Sequence, residues 1–426
     1  MTTANPGVRV KGIAVTDANV RVGPKKDDKA VDKLLRGEEV IVTAFALDPN
    51  AGEYQRRYQI EHKGETRWVA AKLVLLDAKS LRQLPFMPLD LADPVAALLQ
   101  SVGVKDVTMT LAEAMTLVTT LGNVELRGTW TRADLDEVMK MLADLESCGV
   151  ILTGEDQGKW SLDELRTVYE ALACTARGTG ALFENIFGLR DDAMAFRLMY
   201  APLTIARSPK DNVSVVQGQV WYAKNSNGYE IVLSNKVFFK GTQTTKANRD
   251  LPYTSMELIA HEIGHVINWR YPRKRHEGKG LLDKPSVYYP KKILTKEYTL
   301  STGEKVMLGA LNVGYGMAAR SSNGEHEIVT DAITCLSLDR FTIDSTDGKK
   351  QLQGKARKEQ VMAMMDAIIR YRIKDYGDGV AALREEIQSR WGQALLDRMM
   401  PALALIADNL EADQAMLKAK LEGGGV

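Results

Sequence analysis

Residues 256–272 read Met-Glu-Leu-Ile-Ala-His-Glu-Ile-Gly-His-Val-Ile-Asn-Trp-Arg-Tyr-Pro. The centre of the stretch, His261-Glu262-Ile263-Gly264-His265, is an HExxH. Residues four apart on a helix share a face, so His261 and His265 can both turn a nitrogen toward one metal ion. Neutral imidazole suits zinc. From the position after the first histidine, the Glu262 carboxylate can reach water at the metal and act as general base. The surrounding pattern predicts the helix that this geometry needs. Thr254 with Glu257 is a capping-box pair, Met256, Ile259, Ile263, Val266 and Ile267 recur at helical spacing, and Pro272 stops the run.

A third ligand decides the class. A histidine six residues after His265 would complete one zinc-peptidase pattern, the metzincin one, but that position is Tyr271. Downstream, Ser321-Ser322-Asn323-Gly324-Glu325-His326-Glu327-Ile328-Val329-Thr330-Asp331-Ala332 predicts a second helix, capped by Ser322 or Asn323 and apolar at Ile328, Ala332, Ile333 and Leu336. Glu327 is the favoured ligand, with Glu325 and His326 as competitors, because only Glu327 has an acid one turn later. That acid, Asp331, can accept a hydrogen bond from the second nitrogen of a ligand histidine and fix its tautomer. HExxH followed by ExxxD resembles the gluzincin pattern. The resemblance implies zinc held by His261, His265 and Glu327, with Glu262 as catalytic base.

Composition bounds the rest. The chain has 426 residues, enough for two or three domains, and a net charge of +1. No global field argues for nucleic acid or a membrane surface. Three widely spaced cysteines, Cys148, Cys174 and Cys335, make no disulfide framework. The start, MTTANPGVRVKGIAV, has no secretory leader, and no stretch is apolar for long enough to span a membrane. The expectation is synthesis in the cytoplasm without a signal peptide, with any export or injection by a leaderless route.

Residues 1–78 predict a small all-β domain. Alternating segments at Gly12–Val15, Val20–Val22, Glu39–Thr43, Tyr58–His62 and Arg67–Val69 are punctuated by Gly23-Pro24, Arg36-Gly37 and Lys63-Gly64. Asn19-Val-Arg-Val-Gly-Pro24, Leu35-Arg-Gly-Glu-Glu-Val40, Gly64 to Trp68-Val69 and Lys72-Leu73 resemble the bacterial SH3-like (SH3b) domain. That resemblance implies targeting, with a cell-wall or protein ligand. His62, its one histidine, falls on a predicted strand, where a packing or surface role is expected.

Residues 79–160 predict a linker rich in proline and then a helical block, with the helical pattern running on to about residue 176. A weak repeat relates Asn123–Leu135 to Thr153–Leu165. Its glycine and acid spacing is that of a calcium loop, but oxygen donors are poor and Arg127 would oppose the ion. Helix caps at Thr131 with Asp134 and Ser161 with Glu164, each under a tryptophan (Trp130, Trp160), account for it better.

Residues 161–426 predict an α+β zincin-like metallopeptidase domain, helical again from about 345. Leu203–Ala206 and Val213–Val216 are β-rich, and Asn227-Gly228 between two apolar segments predicts a hairpin just before the HExxH helix. In zincin proteases an edge strand there pairs with extended substrate. The order Trp160-Ser-Leu-Asp-Glu-Leu165, hairpin, HExxH helix, glutamate helix resembles the anthrax lethal factor-like family of gluzincin domains. In that family a tyrosine upstream of the glutamate ligand supplies the oxyanion donor; Tyr315 is the nearest here, with His326 as runner-up. The basic run Arg270–Lys296 reads as a solvated loop. Helices at Gln360–Lys374, Gly379–Trp391 and Ala394–Leu410 complete the chain.

The function expected from these resemblances is a zinc-dependent metalloendopeptidase acting on a protein or peptide substrate, a bacterial toxin or effector targeted by its SH3-like domain. The alternatives are a cell-wall peptide hydrolase guided by that domain and a non-catalytic zinc-containing binding protein.

Overall fold

The computed structural model describes residues 8–209 with short breaks, 219–220, 229–241, 254–270, 296–309, 324–339, 341 and 354–375, with isolated positions between 384 and 400. The chain divides into two compact units: Met1–Glu170 with Ala201–Phe239, and Ala171–Tyr200 with Lys240–Val426. It is a mixed α/β protein, with eight α-helices among the described residues. None of these helices is long and apolar enough to cross a membrane. The three cysteines form no disulfide with one another.

The first unit opens with an eight-stranded sheet: β1 (Val10–Ala14), β2 (Ala18–Arg21), β3 (Ala30–Leu34), β4 (Glu39–Leu47), β5 (Arg56–His62), β6 (Glu65–Ala70), β7 (Val74–Leu75) and β8 (Phe86–Met87). The order is β3-β2-β6-β5-β4-β1-β7, antiparallel throughout, with β8 added in parallel to β4. Alternation sends Val20, Val42, Ile60, Val69 and Val74 inward to full burial. The β5–β6 hairpin turns at Lys63-Gly64, both at positive φ (52° and 79°). Positive φ at both central residues is what a two-residue turn matching the strand twist requires. Phe86 of β8 lies against Phe45 with ring centroids 5.2 Å apart. His62 is buried, its Nε2 2.7 Å from Asp32 Oδ2, the packing role expected for a strand histidine.

A helical block follows: α1 (Pro94–Ser101), α2 (Leu111–Leu121) and α3 (Arg132–Ser147). Asp93 caps α1 with Pro94 in its first turn, and reciprocal capping boxes start α2 at Thr110/Glu113 and α3 at Thr131/Asp134. Trp130 and Trp160 are buried beside the caps. The two repeated segments meet: the Trp160 amide donates to the Glu125 carbonyl (2.8 Å) and the Arg127 amide to the Trp160 carbonyl (2.9 Å).

The helical expectation for this block fails at one place. Val150–Gly154 is a strand, β9, directly after Gly149. Its β-branched, apolar residues suit a buried parallel strand. It pairs in parallel with β10 (Leu203–Arg207), which pairs in parallel with β12 (Tyr229–Leu233). β11 (Gln219–Val220) forms the antiparallel edge, giving the order β11-β12-β10-β9. β11 and β12 pair antiparallel, as expected of the two arms, but Val220 faces Tyr229, a register that a two-residue turn at Asn227-Gly228 would not give; residues 221–228 and Val213–Val216 lie outside the described residues.

Helix α4 (Leu162–Phe187) begins in the first unit with Ser161 and Glu164 as its cap. Glu164 is also the partner of buried Arg207, whose Nη2 and Nε donate to Oε1 at 2.8 and 3.1 Å. The second unit holds the rest of α4, α5 (Asp192–Tyr200), α6 (Ser255–Arg270), the hairpin β13 (Glu297–Thr299) and β14 (Lys305–Met307), α7 (Gly324–Leu338) and α8 (Gly354–Asp375). Helix α8 covers the expected Gln360–Lys374; the helices expected at 379–391 and 394–410 fall almost wholly outside the described residues.

Candidate metal centre

Helix α6 starts at the expected capping box. The Glu257 amide donates to Thr254 Oγ1 (3.2 Å), and the Thr254 amide donates to Glu257 Oε2 (2.6 Å). Two N-terminal amides that the helix cannot satisfy internally thereby find acceptors. Leu258, Ile259, Ala260, Ile263 and Val266 are all buried and anchor the helix in its unit.

His261 and Glu262 are buried and His265 is half-buried. One turn apart, the two imidazoles stand nearly perpendicular, at 89°, with centroids 4.9 Å apart. One candidate ligand atom from each of His261, Glu262 and His265 falls within 4.8 Å of the other two. His265 Nε2 lies 3.7 Å from Glu262 Oε2.

Helix α7 packs against α6 and sets how those rings face. Its apolar stripe is Val329, Ala332, Ile333 and Leu336, all buried. Asp331 Oδ1 lies 3.1 Å from His261 Nδ1, and Thr330 Oγ1 lies 3.1 Å from His265 Nδ1. Against an ionised Asp331, which can only accept, a neutral His261 carries its proton on Nδ1 and its lone pair on Nε2. The Thr330 hydroxyl can accept from an Nδ1–H of His265 or donate to a bare Nδ1; accepting, it gives that ring the same tautomer, with the Nε2 lone pair on the side of the Glu262 carboxylate.

The close approach of the helices depends on Gly264. A β-carbon there would stand 3.0 Å from Thr330 Cγ2 and 3.2 Å from its Cα and carbonyl oxygen. Gly178 on α4 meets the other end of α7 still more tightly, with a β-carbon placed 2.7 Å from the Leu336 carbonyl group.

The structure thus brings His261, Glu262, His265 and Asp331 together. Glu327 falls on α7, one turn before Asp331, but its side chain and those of Glu325 and His326 lie outside the described residues, as do Tyr315 and residues 271–295. Sequence reasoning missed Thr330. Its signal was a hydroxyl next to the acid inside an apolar run, Ile328-Val-Thr-Asp-Ala-Ile333, where a second polar residue asks for a partner.

Two imidazole nitrogens and a carboxylate, two of the three residues buried, with Asp331 and Thr330 against the outer ring nitrogens, form a donor set that fits a divalent metal ion. No protein-family model, curated protein or solved structure matches the chain.

Proposed function

We propose that the chain is a zinc-dependent metalloendopeptidase of the gluzincin type. The observation that carries the proposal is a pair of histidines one turn apart whose Nδ1 atoms are both engaged by α7, with a ring nitrogen of each grouped with the Glu262 carboxylate within 4.8 Å. His261 and His265 would hold the ion, with Glu327 as third ligand from α7. Asp331 and Thr330 orient the rings. Zinc, when bound, lowers the pKa of water and polarises a carbonyl.

Glu262 is the base of the reaction. Its carboxylate, buried beside the ligand atoms, takes the proton of the attacking water and returns it to the leaving amine. Tyr315 is the proposed donor to the developing oxyanion. The zincin-like organisation of the second half and an SH3-like targeting role for the antiparallel sheet belong to the same reading. So do a protein or peptide substrate and a toxin or effector role by leaderless export.

The test is metal content and peptide-library cleavage, wild type against Glu262→Gln. The expected result is about one zinc per chain in both proteins, with cleavage reduced by about 10²–10⁴-fold in the variant. Cleavage at the wild-type rate by Glu262→Gln would overturn the role of Glu262. Zinc binding without cleavage by the wild type would leave a structural zinc.

A further inference from the structure

In the first unit a cavity of about 470 Å³ opens between β5, residues 71–73, the end of α1 and the repeated segments around Glu125 and Lys159. Among the described residues Arg56, Lys72, Lys105, Arg127 and Lys159 line it, with Glu125 as the one carboxylate. The whole chain carries only +1, so this is local concentration of charge rather than a basic protein. Glu125 is shared between Lys72 Nζ at 3.8 Å and Lys159 Nζ at 3.6 Å. Both distances are those of ion pairs beyond hydrogen-bond reach. The Lys72 and Glu125 side chains are the sheltered part of the lining, 19% and 15% exposed, while Lys105, Arg127 and Lys159 face solvent at its mouth.

The arginines are already fixed. Arg56 Nη1 donates to the Gly122 carbonyl. Arg127 Nη2 donates to Glu164 Oε1 at 2.7 Å and its Nε to the Lys159 carbonyl at 3.2 Å. Guanidinium groups held in place lose little freedom on meeting an oxyanion, and their fork geometry matches phosphate. The rest of the described lining is two glutamines, a serine and glycine backbone, with Leu126 as its apolar member. The volume is that of a small-molecule site.

We propose that this cavity binds a small phosphate-bearing polyanion with at least two phosphoryl groups. The ligand would join the lysines around Glu125 and bridge the antiparallel sheet to the helical block. Binding to the folded state alone must also raise its melting temperature.

The probe is tripolyphosphate, titrated calorimetrically into the full-length protein. The variant is K105E/K159E, which reverses two exposed lysines of the lining. K11E/K25E, on exposed lysines outside the lining, makes the same change of net charge as a control. The expected result is binding by wild type and K11E/K25E, at least about tenfold weaker in K105E/K159E, and weakening in all three with added salt. Chelation of a bound metal would appear equally in every protein and so cannot mimic the difference. If K105E/K159E does not fold, K105Q/K159Q should show the same direction with about half the logarithmic effect. Equal affinity in the folded variant, no binding by wild type, or tighter binding of hexaglutamate than of tripolyphosphate overturns the proposal.

Discussion

Removing the Asp331 carboxylate tests the metal centre most directly. Asp331→Ala takes away the acceptor at 3.1 Å from His261 Nδ1, in a pair with side chains only 5% and 6% exposed. Water therefore cannot easily replace the carboxylate, and a buried N–H left unsatisfied costs about 1–3 kcal/mol. Part of that cost is avoided when the ring rotates or shifts its proton to Nε2, but that move removes the lone pair the metal needs. Either way the loss falls on metal binding. At 1.4 kcal/mol per tenfold, zinc affinity should fall by roughly 10- to 100-fold, the range seen when such outer partners are lost. Asp331→Asn keeps an acceptor oxygen and should lose about threefold to tenfold, since a charge-assisted hydrogen bond is about twice as strong as a neutral one. Thr330→Val keeps the shape and removes the hydroxyl facing His265. Thr330 is fully buried but the His265 side chain is 17% exposed, so water can reach the ring in part and the loss should be no more than about tenfold. The assay is zinc affinity by competition with a chelator of known strength, with circular dichroism to establish that each variant is folded. Asp331→Ala binding zinc within twofold of wild type would refute the reasoning. So would Thr330→Val losing more than Asp331→Ala, because burial then would not set the order.

Three further outcomes follow from particular contacts. Replacing Glu327 by Gln should weaken zinc binding while Glu325→Ala leaves it intact; the opposite pair of results in the same chelator assay would move the third ligand by two positions. Gly178→Ala should lower stability by about 1–3 kcal/mol, because overpacking against the α7 backbone outweighs the 0.5–1 kcal/mol or so that alanine usually adds to a helix; urea unfolding showing a gain would refute that close approach. Glu164→Gln should cost about 3 kcal/mol at neutral pH, since it leaves buried Arg207 beside a neutral amide. Burial raises the Glu164 pKa, but hydrogen bonds from Arg207, the Ser161 amide and Arg127 outweigh it, so the folded value lies below the ordinary one. A depressed folded pKa means the contribution is complete above the unfolded pKa of about 4.3 and disappears as pH falls through the folded value. Urea unfolding of the two proteins should therefore differ at pH 7 and converge in strong acid; a constant gap across pH would show that charge is not the cause.

How much of this was readable in the sequence depends on whether the signal was local. Alternation with buried ends betrayed β1, β2, β4, β5 and β6. β3 escaped because four of its five residues, Ala30 to Lys33, are exposed or half-buried and only Leu34 is buried; an edge strand held by backbone pairing leaves little pattern. β9 escaped for the opposite reason. Val150–Leu152 has no period of its own and is a strand because β10, some fifty positions on, accepts it in parallel. The helix caps at Thr131, Ser161 and Thr254 were legible, since each is settled within four residues. The candidate metal centre divides along the same line. HExxH spacing alone brings two imidazoles to one helix face. It cannot say which nitrogen of each ring faces inward, because that choice rests on acceptors 70 and 65 residues away, Asp331 and Thr330. Those acceptors reach the rings because Gly264, inside the motif, lets α7 come within touching distance of α6. For the proposed third ligand the spacing is again local: of Glu325, His326 and Glu327, only Glu327 lies one turn before Asp331 on α7.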